Sequence, residues 1–237
     1  MTNQIEIPHD LQNFLETLDK SYCSTIARIA LFDASQTSKW TFEQKRVFAG
    51  IFYHLRGHFI DFMWYLANFC NDEKIKSIVM ENIGEELGVD GKFSHEELYG
   101  RFAQECGIDI KDEIINETHN ADFAKQFNKE HLKWLNKHTV SQQLALFAAY
   151  ERLDNIDYPR LYEFAKTLDV SEHALTFFRV HIYVEHFDST LDKLLPIWQN
   201  SPNDVKEAFE FIYGHQLKMW QQLSDTIFAV PQLEAIA

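Results

Sequence analysis

Three potential metal ligands, His181, Glu185 and Asp188, lie close together in the last third of the chain. In a helix each residue turns by about 100°, so residues spaced i, i+4 and i+7 share one stripe. The neighbouring residues are mostly apolar, which indicates that the stripe faces inward. Buried carboxylates need a compensating charge, and a metal cation supplies it. For this triplet alone, a solvated polar face or a histidine in a salt bridge remains an alternative.

A second group lies where one predicted helix ends and the next begins. Glu85 and Glu86 are near the end of the first helix, and His95 starts the second. Carboxylates and an imidazole on either side of a short loop can hold one ion from two helices. Helical periodicity turns Glu86 inward and places Glu85 on the neighbouring side, so the sequence leaves open which of the two is a ligand.

Glu151 closes the otherwise apolar run 144–150. A carboxylate in such a position is costly unless it is paired. The alternative is that the helix reaches the surface near Arg152 and Asp154. Taken with the first two groups, Glu151 completes a set of two histidines and four carboxylates from four helices. This donor set suits iron, or manganese, better than copper or structural zinc.

The composition excludes several other classes of protein. A net charge of -14 argues against nucleic acid and anionic membranes as partners, because both require basic patches. The three cysteines are scattered and form no CxxC pair, which argues against a thiolate zinc site. No apolar signal segment precedes residue 12, and the longest apolar stretch, 139–150, is too short to cross a bilayer. We therefore expect a cytoplasmic protein with no membrane or nucleic-acid partner.

The spacing of helix-starting and helix-ending residues predicts the all-α class. Glycine and proline are rare, at eight and five, and no run of alternating β-branched residues indicates a strand. We expect one domain covering residues 1–237, with about seven core helices. A capping box at 41–44 opens a long helix to about residue 70, and Ser94 caps a later helix. The segment 34–38 is expected to be a linker and 108–120 is ambiguous; the other predicted helices are 8–20, 24–32, 72–88, 94–106, 121–137, 140–154, 159–168, 171–196 and 203–229.

The order of these ligand groups resembles the haem-oxygenase-like diiron oxidases and oxygenases. Residues 82–88 and 94–98 are similar to that family's first ligand segment, and the resemblance covers roughly residues 45–230. The family's last motif is usually His-x3-Asp/Glu-x2-His, whereas this chain has Asp188 at the last position. That departure makes one metal position richer in oxygen, so the ion there would be more labile or manganese would compete for it.

The resemblance implies two iron ions that cycle between Fe²⁺ and Fe³⁺, O₂ as co-substrate and an external electron donor. Glu85 or Glu86, His95 and Glu151 would hold one ion. His181, Glu185 and Asp188 would hold the other, with Glu151 or Glu185 bridging. Since helical domains of this type often dimerise, we also expect a homodimer.

Within the family, the segment 53–57 and the aspartate at position 188 resemble the corresponding parts of relatives of the chlamydial death-domain-associating protein. That branch includes a diiron enzyme that converts a brominated tryptophan to an indole nitrile. The resemblance thus implies a small, aromatic amino-acid-type substrate. Most aromatic residues are ordinary core and most arginines pair with nearby acids, but a subset could bind this substrate. The candidates are Phe52, Tyr53, Arg56, Phe59, Phe147, Phe178 and Tyr183.

Two other functions stay open at this point. One is a cofactor-free enzyme on the same scaffold, which would lack the metal ligands. The other is a protein-interaction module of the death-domain-associating type, which would not need His95 and His181 to face inward.

Overall fold

A computed structural model describes residues 7–183 and 187–231, apart from the side chains of residues 74, 75, 90 and 189. Within these ranges the chain forms eleven α-helices and no strand, so the predicted all-α class is confirmed. None of these helices combines the length and the apolar composition that a bilayer crossing needs. The helices are α1 (His9–Ile26), α2 (Ala34–Thr37), α3 (Phe42–Phe69), α4 (Glu73–Glu86), α5 (His95–Glu105), α6 (Ile110–Asn116), α7 (Asp122–Lys137), α8 (Val140–Lys166), α9 (Thr176–Ile182), α10 (Asp188–Asn200) and α11 (Pro202–Phe228).

Side-chain caps fix the starts of the helices that carry the site. Thr41 accepts a hydrogen bond from the backbone N–H of Gln44, and Gln44 reaches back to Thr41, which completes the capping box of α3. Ser94 forms the same arrangement with Glu97 at the start of α5. Both predicted caps are confirmed. Because Ser94 immediately precedes His95, the cap of α5 also sets the position of that imidazole.

Several predicted boundaries are wrong. Helix α1 continues to Ile26, the segment 30–32 is a 3₁₀ turn, and the expected linker 34–38 contains α2. Helix α8 is continuous where two helices were predicted, with Pro159 in its interior. Leu153 and Leu161, on either side of this proline, are both buried in the core. Their packing outweighs the backbone hydrogen bond that an internal proline removes.

The helix predicted over 171–196 is interrupted. Helix α9 ends at Ile182 and α10 begins at Asp188, with Pro196 inside α10. His181 and Phe187 are both buried. In one unbroken helix these two side chains would point about 120° apart, so the interruption allows both to face the core. It also removes the single helical stripe on which the sequence argument had placed Asp188.

The core centres on α8 and α11, with a buried network of side chains linking them to α1. The Asp157 carboxylate of α8 accepts hydrogen bonds from the Tyr22 hydroxyl and the Trp220 indole N–H, each at 2.9 Å. Burial raises the pKa of Asp157 to about 7, although both hydrogen bonds favour its ionised form. This network fixes the rotation of α8, the helix that also carries Glu151.

A second buried carboxylate ties α6 to α3. Glu113 is 3% exposed and lies between two imidazoles, with His54 Nε2 at 2.7 Å and His119 Nδ1 at 2.6 Å. Gly50 faces His119 so closely that a Cβ there would lie 2.3 Å from the ring. Burial favours a raised pKa, but the hydrogen bonds from His119 and His54 outweigh it and lower the pKa of Glu113.

We expect Glu113→Gln to lower the free energy of unfolding at pH 7 by about 1–3 kcal/mol, because both imidazoles lose a charged acceptor. The folded-state pKa lies below the unfolded value, so this stabilisation is present above the unfolded pKa and is lost as the pH falls through the folded pKa. Denaturant unfolding from pH 7 to pH 3 should show the two proteins converging towards acid. Glu163→Gln, at an exposed pair with Lys166, is the control and should change little. A constant difference at every pH would contradict the prediction.

Candidate metal centre

Three side chains from three helices converge at one point. Ligand atoms of Glu86, His95 and His181 all lie within 4.8 Å of one another. Glu86 ends α4, His95 begins α5 and His181 lies in the last turn of α9. His95 Nδ1 is 2.8 Å from Glu86 Oε1, and the two imidazole rings have their centroids 4.5 Å apart. Two imidazoles and a carboxylate at this separation could bind one divalent cation.

The turn between α4 and α5 brings Glu86 and His95 together. Gly88 has a φ of +70°, a conformation that favours glycine. A Cβ at this position would lie 2.5 Å from the backbone nitrogen of Ser94. The glycine is therefore needed for the close return of the chain, which places the first residue of α5 beside the last residue of α4.

His181 is held in one orientation by its neighbours. Its Nδ1–H donates a hydrogen bond to the Phe177 carbonyl at 2.6 Å, which leaves Nε2 with a lone pair for a metal ion. The Tyr158 ring stacks on the imidazole at a centroid distance of 4.0 Å and an interplanar angle of 11°. The ring thus has a fixed tautomer and little freedom to rotate.

These three residues line a cavity of about 100 Å³ between α3, α4, α5, α8, α9 and α11. Glu151, predicted as a ligand, is buried and lies on the wall of the same cavity. Glu85 also borders it, but its side chain is 58% exposed and lies 3.7 Å from Lys92. The geometry therefore favours Glu86 over Glu85, a choice that the sequence left open.

The model of one protein family matches residues 46–188, more than half of the chain, and its description is iron-containing redox enzyme. The chain belongs to this family of iron-containing redox enzymes. Its helical architecture is that of a haem-oxygenase-like bundle, and Glu86, His95, Glu151 and His181 all lie inside the matched segment. The comparison with curated proteins finds no match.

The donor set of this iron-containing redox enzyme fits iron. Imidazole nitrogen and carboxylate oxygen are ligands that iron accepts in proteins, and both kinds meet at the cavity. The orienting hydrogen bond on His181 is the kind of contact that metal-binding histidines usually make. Membership of this family indicates an oxidoreductase. Glu86, His95 and His181 are close enough together to bind its iron.

One predicted ligand, Asp188, is not placed at the cavity. Asp188 is exposed at the start of α10 and does not line the cavity wall. The prediction that Asp188 shares a face with His181 assumed one continuous helix. Helix α9 ends at Ile182, so that assumption does not hold. Glu185 lies outside the described residues, so its role stays a prediction.

The residues predicted to bind substrate fall into three groups. Phe52, Arg56 and Phe59 line the cavity. Tyr53 borders a neighbouring groove between α3, α4 and α5. The remaining three lie elsewhere: Phe147 and Phe178 are buried in the core, and Tyr183 is 79% exposed.

Arg56 is already paired. Its guanidinium donates to Glu96 at 3.0 Å and lies 5.0 Å from the centroid of the Tyr99 ring. A nearby acid was the alternative to a substrate carboxylate, and the structure supports that alternative. Arg179 likewise pairs with Glu172 at 3.0 Å.

Several cavity residues were not found from the sequence. Asp154 and Tyr158 follow Glu151 on the same wall, and His58 and Gln216 come from α3 and α11. The spacing of Asp154 three residues after Glu151 is typical of paired ligands on one helix and could have indicated it. Sequence periodicity offered no comparable signal for Gln216, because its role depends on how α11 packs.

Proposed function

We propose that this iron-containing redox enzyme is a non-haem diiron oxidase or oxygenase that uses O₂ to oxidise a small aromatic substrate. The observation that carries the proposal is the convergence of Glu86, His95 and His181 on one cavity, with the buried Glu151 on the same wall. A single ion would not require the further carboxylates, Glu151 and Asp154, that border this cavity. Two ions would use them and offset their negative charge.

In the proposed arrangement, Glu86, His95 and His181 would hold iron. Glu151 and Asp154 would supply further carboxylate ligands from the same cavity, Asp154 in place of Asp188. Glu185 remains a predicted ligand outside the described residues. Iron, when bound, would supply the redox chemistry and the site for O₂.

The protein's own groups supply orientation and exclude water. The Phe177 carbonyl keeps the His181 proton on Nδ1, so Nε2 is the nitrogen that would bind a metal ion. Tyr158 covers one face of the same ring. Phe52, Phe59 and Trp220 contribute aromatic surface to the cavity, and such surfaces bind a flat apolar molecule better than water.

The size and lining of the cavity support a small aromatic substrate. A cavity of roughly 150 Å³ holds benzene in another protein, so a cavity of about 100 Å³ has room for no more than one ring. An amino-acid-type substrate would have to extend towards the groove lined by Tyr53. Oxidative conversion of a tryptophan derivative to a nitrile, an external electron donor and a homodimer remain predictions.

The test is anaerobic loading of the purified chain with Fe²⁺, followed by rapid mixing with O₂. We expect two iron ions per chain and a transient visible absorption band that decays with consumption of O₂. A candidate aromatic amino acid should accelerate the appearance of the band. One iron per chain would contradict the diiron proposal, and a chain that binds no iron and leaves O₂ unconsumed would favour a cofactor-free enzyme.

A further inference from the structure

One arginine lies where the metal cavity meets the neighbouring groove. Arg56 and Glu86 line both the cavity and the groove between α3, α4 and α5, which has a volume of about 400 Å³. Most of the other residues that line the groove are apolar, among them Met63, Trp64 and Ile83. A ligand that extends from the cavity into the groove therefore passes Arg56.

Arg56 carries a positive charge that its surroundings hold in place. It is the only arginine or lysine that the described part of the chain contributes to either lining. Its side chain is 8% exposed, and the guanidinium lies over the rings of Tyr99 and Phe177, at 5.0 and 5.1 Å from their centroids. A cation that is largely shielded from water attracts an anion more strongly than an exposed arginine does.

The ion pair with Glu96 uses only part of the guanidinium. Arginine has five N–H donors, and Arg56 donates to Glu96 from Nη1 alone, at 3.0 Å. Its Nε and Nη2 have no hydrogen-bond partner among the described residues, and both keep some accessible surface. Nε and Nη2 together form the fork that binds both oxygens of a carboxylate. Arg46 binds Glu43 in this way, at 2.8 and 2.7 Å.

The position of Arg56 suits a ligand whose other end lies at the metal centre. The Phe177 ring that contacts the guanidinium also contacts the His181 imidazole, at a centroid distance of 4.8 Å. One ring therefore touches both Arg56 and a proposed iron ligand. Since the cavity has room for no more than one ring, a carboxylate on a short side chain of that ring would lie near Arg56.

The acids beside Arg56 favour a carboxylate over a more highly charged anion. Glu86 and Glu96 both line the groove with Arg56. A phosphate dianion would be repelled by these two side chains more strongly than a carboxylate, which carries a single charge. Glu96 also competes with any anionic ligand for the charge of Arg56.

We propose that Arg56 binds the carboxylate of the substrate through Nε and Nη2, with the aromatic ring of the substrate in the cavity. The substrate class is then an aromatic carboxylic or amino acid. The proposal rests on the proposed function in placing the reacting ring beside the metal centre. It deepens that function by assigning the residue that selects for the acid.

The test compares 3-phenylpropionate with 3-phenylpropanamide, which has nearly the same shape and no charge. Ligand-observed NMR titration measures the affinity of each probe for the metal-free full chain at pH 7, so that the carboxylate cannot bind to iron instead. We expect 3-phenylpropionate to bind about tenfold more tightly, because hydrogen bonds to charged groups are stronger than neutral ones. Failure of iron loading would contradict the proposed function and leave this comparison unaffected.

Substitution of the arginine locates the binding. Arg56→Met keeps an unbranched side chain without the charge, and it should weaken binding of 3-phenylpropionate by about tenfold and leave binding of the amide unchanged. Arg56→Lys keeps the charge without the fork and should lie between the two. Arg101→Met is the matched control, because Arg101 lies over the Phe93 ring and lines neither the cavity nor the groove. Thermal unfolding shows whether each variant is folded.

A second variant should act in the opposite direction. Glu96→Gln removes the acid that competes for Arg56, so it should strengthen binding of 3-phenylpropionate by about threefold. If Arg56 served only to tie α3 to α5 through Glu96, this substitution would not improve binding. Glu81→Gln, at an exposed acid of α4, is the control and should bind like the parent protein.

Equal binding of the two probes, or binding of neither, would overturn the proposal. So would an Arg56→Met protein that binds 3-phenylpropionate like the parent, or a Glu96→Gln protein that binds it no better than the parent.

Discussion

Replacing His181 with alanine should reduce the affinity for Fe²⁺ by roughly 100-fold or more, because even partners that only orient a ligand are worth 10–100-fold. Because His181 donates its Nδ1–H to the Phe177 carbonyl, Nε2 is the nitrogen that would bind the metal ion, and the ring is fixed against Tyr158. No other histidine contributes to the cluster with Glu86 and His95 in the described part of the chain. Iron analysis after anaerobic loading and desalting measures the effect.

The control for this variant is His173→Ala, an exposed histidine in the turn before α9. It should keep the full iron content. His181→Gln retains a polar side chain of similar size, so it separates loss of the ligand from loss of packing; we expect it to lose iron as well while unfolding near the parent's midpoint. Full iron content in both His181 variants would rule out this residue as a ligand.

Replacing Phe178 with alanine should lower the free energy of unfolding by about 3–5 kcal/mol, as is usual when a buried phenylalanine is truncated. The Phe178 ring is fully buried and packs edge-on against Phe102 at 4.9 Å and against Phe177 at 5.2 Å. The structure gives it no contact with the cavity. Denaturant unfolding of the metal-free protein measures the change without a contribution from bound iron.

The exposed Tyr183, predicted from the sequence to share a role with Phe178, is the control. Tyr183→Ala should change the free energy of unfolding by no more than about 0.5 kcal/mol. A small effect of Phe178→Ala, or an equal effect of both, would mean that α9 does not pack against α5 as described.

Many of the helices could be predicted because their ends depend on residues that are close together in the sequence. The caps at Thr41 and Ser94 depend on residues three positions apart, and both occur where expected. The continuity of α8 through Pro159 could not be predicted in this way. Its cause is tertiary burial of residues before and after the proline, which local propensity does not record.

The same distinction between local sequence and tertiary packing applies to the site residues. Glu86 and His95 are joined by a short loop, so the sequence could place them together, and periodicity favoured the correct inward direction for Glu86. His181 and Glu151 were identified by residue type within apolar surroundings. Asp188 illustrates the limit: its predicted position assumed an unbroken helix, and the break that buries Phe187 as well as His181 could be found only from the packing.

The interruption between α9 and α10 has a consequence for how the chain tolerates insertions. One extra residue in a helix rotates everything beyond it by about 100°. Within α8, an insertion after Glu151 would swing Tyr158 off the cavity wall, so the length of this segment is constrained. Helix α10 begins only at Asp188, beyond the end of α9. An insertion within α10 would therefore leave the orientation of His181 unchanged, but it would rotate the buried Leu194 and Trp198 of α10 away from the core.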